Sequence, residues 1–250
     1  NLQLVTTKNA PVANYFGAGE IIGGANGHDS MPSMMNTWGI SSGYVAGAAA
    51  SENAQRQATA GDDEANIVAI VGTNASKSYN RKLLYAMKEL FETQVNFEIC
   101  EIKDLPLFNE DDMDREPASV KALAAKIEAA DGVVFGVPEY DHSIPAALKS
   151  AIEWLSCAEH PFKDKPVMIV GTSLGIQGTV RAQMNLRQIL DSPGVDAKVM
   201  PGNEFMLPQA GNKFDENDHL NDDGSEHFLK QCFGHFLEGL ELASKKTVTN

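Results

Sequence analysis

Residues 66–84 read NIVAIVGTNASKSYNRKLL, and this stretch decides the fold. Its first seven residues form a continuous apolar run that ends in glycine, a pattern typical of a strand buried on both faces of a sheet. Leu83, Leu84 and Met87 then recur at helical spacing, so a helix is predicted to follow directly. Strand, short loop and helix in this order form the first half of a βαβ unit.

The same alternation continues to the C-terminus. Further strands are predicted at 97–102, 132–137, 166–172 and 195–200, and further helices at 120–130, 144–155, 180–190 and 226–242. Alternating strands and helices produce parallel strands with right-handed crossovers, so residues 65–250 are predicted to form an α/β domain with a doubly wound, five-stranded parallel sheet. Ligands of such sheets bind beyond the carboxyl ends of the strands, which selects the loops 72–80, 137–145 and 171–179.

The first loop leads from a buried strand into a helix, so its backbone N–H groups lie at a helix N-terminus. Free N–H groups and the helix dipole favour an anion there, and hydroxyl and amide side chains add donors. A monophosphate that is held rather than transferred fits this loop, which has neither a GxGxxG nor a Walker pattern. Because Ser78 and Asn80 are also good N-cap residues, a simply capped helix is the alternative. The candidate residues are Gly72, Thr73, Ser76, Ser78 and Asn80.

The second and third loops supply a rim for a flat ring. Two prolines stiffen the second loop, VPEYDHSIP, and its tyrosine offers an aromatic face for stacking. The glycines of the third loop, GTSLGIQGT, allow the backbone to approach a ligand closely. The candidate residues of these loops are Pro138, Glu139, Tyr140, Asp141, His142, Ser173, Gly175 and Gly178.

Charge and composition narrow the possible partners. The formal net charge is −14, with 20 Lys and Arg against 34 Asp and Glu, which disfavours nucleic acid and anionic lipid. No apolar run approaches the ~20 residues needed to span a membrane. Three widely spaced cysteines favour reduced thiols, a cytoplasmic location and no metal site. The acidic stretch 215–226 lacks the residue order of a calcium loop and is interpreted as a solvated loop.

Residues 66–242 resemble the NADPH-dependent FMN reductase family, which includes many azo- and quinone reductases. The matching segments are GTNASKSYNRKLL (72–84), LPLFNEDD (105–112), VPEYDHSIPAALKSAIEWLS (137–156), KPVMIVGTSLGIQGTVRAQMNLRQIL (165–190) and the acidic stretch 214–226. The resemblance implies a flavodoxin-like fold, an FMN cofactor, reduction by NADPH or NADH, and hydride transfer at flavin N5 with no catalytic side chain. The loop histidine, His142, is therefore interpreted as a hydrogen-bonding residue of its loop, with a general base as the alternative.

The same resemblance assigns parts of the cofactor to the loops. It implies the FMN phosphate at Ser76, Ser78 and Asn80. It implies the isoalloxazine ring against Pro138, Glu139 and Tyr140, with 173–178 near its pyrimidine side. Two positions depart from the family pattern, because an arginine common in the first loop is Ala75 here and the usual asparagine after the tyrosine is Asp141.

Residues 1–50 have a different character and are separated from the rest by 51–64, a polar stretch interpreted as a linker or a frayed helix end. Their strand–loop–helix pattern resembles the C-terminal end of the FAD-binding domain of fumarate reductase and ketosteroid dehydrogenase flavoproteins. That resemblance implies that Glu20 hydrogen-bonds the ribitol of FAD. One strand and one helix cannot form a core, so we expect the remainder of an FAD-binding domain as a partner. The alternative is a terminal fragment with no role of its own.

Together these features predict an NAD(P)H-dependent, FMN-containing reductase that takes a nicotinamide nucleotide and a small-molecule acceptor. The favoured hypothesis is the electron-input part of a two-flavin reductase, FMN and FAD, that acts on an activated double bond. A stand-alone NAD(P)H:quinone or azo-compound reductase and a flavodoxin-type electron carrier are the alternatives. A homodimer is expected by analogy with relatives.

Overall fold

The computed structural model describes residues 3–5, 11–16 and 64–247. The chain forms two compact units, Asn1–Glu64 and Ala65–Asn250. In the first unit, strand β1 (Gln3–Val5) pairs antiparallel with strand β2 (Pro11–Phe16). Glu20 and the helix of the predicted strand–loop–helix pattern lie outside the described residues, so the FAD-domain fragment stays a prediction.

The second unit confirms the predicted α/β fold. Its strands are β3 (Ala65–Val71), β4 (Val95–Glu101), β5 (Gly132–Gly136), β6 (Pro166–Thr172) and β7 (Lys198–Leu207). They form one parallel sheet in the order β4-β3-β5-β6-β7. The helices are α1 (Tyr79–Phe91), α2 (Ala118–Ala129), α3 (Ala146–Ala158), α4 (Val180–Leu190) and α5 (Asp223–Thr247). No helix in the described part of the chain is long and apolar enough to cross a membrane.

The continuous apolar run of β3 follows from helices that cover both faces of the sheet. Successive side chains of a strand point to opposite faces. Val68 and Ile70 belong to a core cluster with α2, α3 and α4, whereas Ile67, Ala69 and Val71 belong to a cluster with α1 and α5. All five are buried, so neither face of this strand tolerates a polar residue.

The last strand extends further than the sequence predicts. The pattern predicts a strand ending at residue 200, whereas β7 continues to Leu207. Its pairing with β6 shifts register, because Val167 pairs with Val199 but Ile169 pairs with Glu204. Pro201 and Gly202, with φ +71° at the glycine, lie in this irregular stretch. Proline and glycine interrupt a strand pattern in a sequence, but a bulge on an edge strand accommodates both.

Candidate functional site

The three predicted loops follow β3, β5 and β6, which are neighbours in the sheet, so the loops meet at one edge. The ends of β3 and β5 come close together, since the backbone N–H of Gly72 donates to the carbonyl of Gly136 at 2.9 Å. A Cβ atom on Gly72 would lie 2.7 Å from that same oxygen. Only glycine at position 72 allows this approach, which places the start of the first loop beside the start of the second.

The N-terminus of α1 has free N–H groups. Ser78 is its N-cap, with φ −150°, and its Oγ accepts a hydrogen bond from the backbone N–H of Arg81 at 3.3 Å. Among the described residues, no acceptor is bonded to the backbone N–H groups of Ser76, Lys77, Ser78 or Tyr79. The cap and the anion site are compatible, because the Ser78 hydroxyl keeps its own proton for a ligand while it accepts from Arg81.

Side-chain hydrogen bonds join the first loop to the second and to the third, and join the second loop to the start of α4. The first and second loops are joined by Thr73 and Tyr140, whose hydroxyl oxygens lie 3.1 Å apart. Thr73 is completely buried and its Oγ1 also accepts from the backbone N–H of Ala75 at 3.2 Å. Tyr140 is 48% exposed, so this bond holds the tyrosine while leaving part of it open to a ligand.

Glu139 joins the second loop to the start of α4, the helix that directly follows the third loop. Its Oε2 accepts from the backbone N–H groups of Arg181 and Ala182, at 2.9 and 3.2 Å, at the start of α4. Its Oε1 lies 3.4 Å from Nη1 of Arg181. A carboxylate therefore already satisfies the N-terminus of α4. At the start of α1, by contrast, the backbone N–H groups of residues 76–79 have no acceptor among the described residues and are available to an anionic ligand.

The first and third loops are joined by Asn80, which is 3% exposed. Its Nδ2 donates to the carbonyl of Thr172, and its Oδ1 accepts from the N–H of Thr172, both at 2.9 Å. The amide thus completes the backbone hydrogen bonding at the end of β6. The sequence predicts Asn80 as a donor to phosphate, and the structure shows that its carbonyl and one of its two N–H groups are committed to Thr172. Phosphate binding by its remaining N–H stays a prediction.

A tight turn shapes the second loop. Tyr140 and Ser143 exchange two backbone hydrogen bonds of 3.0 Å, and the two residues between them, Asp141 and His142, have φ of 51° and 64°. Two consecutive positive φ values define a type I′ turn, which favours Asn, Asp and Gly at its centre. Aspartate in place of the family's asparagine is therefore compatible with this backbone. The His142 side chain is exposed and makes no hydrogen bond within the described residues, so the predicted loop-holding bond is not seen.

The third loop is fixed by its own backbone. The carbonyls of Ser173 and Gly175 accept from Ala210 and Gln209, both at 2.9 Å. Gly178 has φ +60°, and a Cβ there would lie 2.9 Å from Met206. Between these anchors the loop exposes Leu174 and Ile176, by 68% and 79%. Pro138 of the second loop is buried, so the exposed apolar surface of this rim comes from the third loop and from Tyr140.

Sequence reasoning missed one residue that supports the first loop. In the first turn of α1, Arg81 donates from Nε and Nη2 to the two carboxylate oxygens of Glu101, at 2.6 and 2.7 Å. Its Nη1 donates to the carbonyls of Ala75 and Ser76, at 2.8 and 2.9 Å. The hydrogen bond to Glu101 raises the pKa of Arg81, against the opposing effect of partial burial. A basic residue at the start of a helix, together with an acidic residue ending the neighbouring strand, is the sequence signal.

The acidic stretch is organised by internal contacts. Asp222 bonds Nζ of Lys213 at 2.6 Å and also bonds Ser225, and these hydrogen bonds lower the pKa of Asp222 to about 2. Asp215 accepts from the backbone N–H groups of Asn217 and His219. Within the ranges that the structure describes, no three His, Cys, Asp or Glu side chains form a group that could hold a metal ion.

These features fit a flavin mononucleotide. The free N–H groups at the start of α1 suit a phosphate. The proline-containing second loop and the glycine-containing third loop suit a flat ring. A doubly wound sheet with strand order β4-β3-β5-β6-β7 and this site at its carboxyl edge defines the class of flavodoxin-like flavoproteins.

Comparison with known proteins gives the family. Residues 65–212 match the family described as NADPH-dependent FMN reductase, and the chain belongs to that family of oxidoreductases. It is 47% identical over 180 residues to the "NADH:(hydroxy)cinnamate reductase subunit CrdA" of Vibrio ruber, covering 72% of this chain and 89% of that protein. It is 45% identical over 185 residues to the "NADH-dependent flavin reductase subunit 2" of Lactobacillus johnsonii, covering 72% of this chain and 99% of that protein.

A solved structure agrees with this assignment. The flavoenzyme NAD(P)H:(acceptor) oxidoreductase FerB of Paracoccus denitrificans superimposes with a TM-score of 0.66 at 29% identity, over 72% of this chain and 98% of that one. The family confirms the predicted flavodoxin-like fold, FMN cofactor and NAD(P)H dependence. An oxidoreductase family does not support the alternative of a simple electron carrier. The assignment of single residues to the cofactor stays a prediction.

Proposed function

We propose that this chain is the NADH-oxidising, FMN-binding part of a two-flavin reductase that acts on an activated double bond. The observation that carries the proposal is the set of three loops at one edge of the sheet, of which the first bonds both others and the second bonds the start of α4, with a free helix N-terminus at α1. The relative from Vibrio ruber is named as a subunit of a (hydroxy)cinnamate reductase, whose substrate class contains an activated double bond. The resemblance of residues 1–50 to the end of an FAD-binding domain supports a second flavin.

The residues of this chain would bind and orient the cofactor. FMN, when bound, accepts hydride from the nicotinamide and delivers electrons onward. Ser76, Ser78 and the N–H groups around them would hold its phosphate. Tyr140, fixed by Thr73, would pack beside the ring, and the third loop would cover its polar edge. The bonds between the loops keep the site preformed, which lowers the entropy cost of binding.

The test uses the purified 250-residue chain. Its flavin would be extracted and identified, and the protein would be titrated anaerobically with NADH. We expect bound FMN that NADH bleaches, and no reduction of cinnamate-type acids unless an FAD-containing partner is supplied. A protein that cannot be reconstituted with FMN, or one that reduces such acids unaided, would overturn the proposal.

A stand-alone quinone or azo-compound reductase is the second candidate. The structural relative from Paracoccus denitrificans is named as an acceptor oxidoreductase, and the exposed Leu174, Ile176 and Tyr140 could pack against an aromatic acceptor. The dependence of turnover on quinone concentration separates the two functions. If the protein has a specific acceptor site, the turnover rate should saturate as the quinone concentration rises. If it is an electron-input module, the rate should rise linearly with quinone concentration.

We expect NADH to be preferred over NADPH by about tenfold or more in kcat/KM, equivalent to about 1.4 kcal/mol. The 2′-phosphate of NADPH adds negative charge, and this protein carries a net charge of −14. The first loop has Ala75 where the family pattern commonly has an arginine, and the loop after β4 exposes Glu110 and Asp111.

Steady-state kinetics with both coenzymes measure this preference. Ala75→Arg should raise kcat/KM for NADPH and so lower the ratio of the kcat/KM values for NADH and NADPH. High salt should lower the same ratio, because salt screens exposed charges. Equal efficiency of the two coenzymes in the unmodified protein would contradict the prediction.

A further inference from the structure

We propose that Arg81 and Glu101 form a positioning pair that turns the backbone N–H groups of the first loop towards the phosphate of FMN. The inference rests on the proposed function, in which that phosphate lies at the N-terminus of α1. Neither residue is a candidate ligand by sequence, and the two belong to different elements, α1 and the last position of β4.

The geometry of the pair is that of a brace. The guanidinium binds both oxygens of Glu101 in a fork and both carbonyls of the 75–76 segment with its remaining Nη1 group. The side chains are 16% and 27% exposed, so the bonds to Glu101 and to the Ala75 carbonyl are partly shielded from water. The planar guanidinium is held by the carboxylate at two points and therefore has little freedom to move. A lysine ammonium could not be held in this way.

The orientation of the loop follows from the peptide plane. In a trans peptide, the C=O of one residue and the N–H of the next point in opposite directions. Because the carbonyls of Ala75 and Ser76 point at Arg81, the N–H groups of Ser76 and Lys77 point away from it. These are two of the N–H groups that have no acceptor within the described residues. The brace therefore presents them, with the start of α1, to an anion.

Arg81 is a poor direct ligand for that anion. Four of its five N–H groups are used, because Nε and one N–H of Nη2 bind Glu101 and the two N–H groups of Nη1 bind the two carbonyls. Glu101 also neutralises the guanidinium charge at close range. A direct ligand and a positioning residue therefore predict opposite results when Glu101 is removed. If Arg81 were a direct ligand, loss of Glu101 would free its guanidinium for the phosphate, and FMN affinity would be unchanged or higher. If Arg81 is a positioning residue, loss of Glu101 would let its side chain move away from the loop carbonyls, and FMN affinity would fall.

The experiment measures the affinities of the apoprotein of the full chain for FMN and for riboflavin, which lacks the phosphate. We expect Arg81→Ala and Glu101→Ala each to weaken FMN binding by about tenfold or more, since charge-assisted hydrogen bonds hold the loop. Riboflavin binding should change by less than about threefold, because the loop would contact only the phosphate. Arg81→Lys should resemble Arg81→Ala, since an ammonium cannot make the fork.

Lys82→Ala is the matched control. It removes one positive charge from the next position of α1, where Nζ pairs with Asp218 at 2.5 Å, away from the loop carbonyls. If Arg81 acted only through its positive charge, Lys82→Ala would lose as much FMN affinity as Arg81→Ala. That result would contradict the positioning role. Unchanged or tighter FMN binding by Glu101→Ala would likewise overturn it.

Two further outcomes distinguish an error in the positioning role of Arg81 and Glu101 from an error in the proposed phosphate site. If the unmodified protein binds riboflavin as tightly as FMN, the phosphate site of the proposed function is wrong. If the unmodified protein discriminates but the Arg81 and Glu101 variants lose FMN and riboflavin affinity in parallel, the pair serves overall folding, and the positioning proposal alone is wrong.

Discussion

Replacing Gly171 by alanine should destabilise the 65–250 unit by about 3 kcal/mol or more, near the upper end of the cost of overpacking a core. Gly171 is the penultimate residue of β6, a strand that α4 contacts. A Cβ at this position would lie 1.7 Å from Oγ1 of Thr179 and 2.8 Å from the carbonyl oxygen of Val137. The hydroxyl could rotate away, but the carbonyl belongs to the backbone that begins the second loop.

The consequence should reach the cofactor site. Relief of the clash requires the second loop or the start of α4 to move, and Glu139 joins these two segments. We therefore expect Gly171→Ala to lower FMN affinity as well as the melting temperature of the apoprotein. For a domain of this size, about 3 kcal/mol corresponds to a loss of about 6–12 °C.

Gly175→Ala is the control for this prediction. Gly175 lies in the same loop, but a Cβ there would meet only Oγ of Ser173 at 3.8 Å, an ordinary contact. This variant should stay within about 0.5 kcal/mol of the unmodified protein. Thermal unfolding of both apoproteins measures the difference. Equal stability of the two variants would show that the packing at Gly171 is looser than the structure indicates.

The fold was largely predictable because burial on both faces leaves a strong pattern. Continuous apolar runs identify β3, β5 and β6, and their loops could be placed at one edge by the topology rule alone. The end of β7 could not be predicted, since Pro201 and Gly202 resemble a turn unless the neighbouring strand is known. The antiparallel partner β1 in the first unit was missed as well, because three residues carry too short a pattern.

The edge of the sheet at which the three loops meet was predictable, but the hydrogen-bond partners of each side chain were not. The sequence selected Asn80, Glu139 and Tyr140 as candidate cofactor-binding residues, but it could not show that each binds a protein group 42 to 92 positions away. Polar residues that face a ligand and polar residues that join loops share the same chemistry. Only the three-dimensional pairing separates the two roles, and Arg81 with Glu101 was missed for the same reason.

Replacing Asn80 by alanine should destabilise the same unit by about 2–4 kcal/mol and weaken FMN binding with it. The amide is buried and makes two hydrogen bonds to the backbone of Thr172. Its removal leaves a buried N–H and a buried C=O without their partner, at a cost of about 1–3 kcal/mol for each unsatisfied group. It also separates the first loop from the third, so the preformed site would loosen.

Asn80→Asp and Asn96→Ala test the cause. Aspartate keeps the acceptor for the Thr172 N–H but cannot donate to the Thr172 carbonyl, and it buries a charge, so at neutral pH it should be at least as destabilising as alanine. Asn96 also makes a side-chain amide hydrogen bond, 3.0 Å to Asn66, but on an exposed surface. Its replacement by alanine should cost within about 0.5 kcal/mol. Denaturant unfolding of the apoproteins gives these differences directly. If Asn80→Ala matched Asn96→Ala in stability while FMN affinity fell steeply, Asn80 would be a phosphate ligand first, and the bond to Thr172 would carry little of its role.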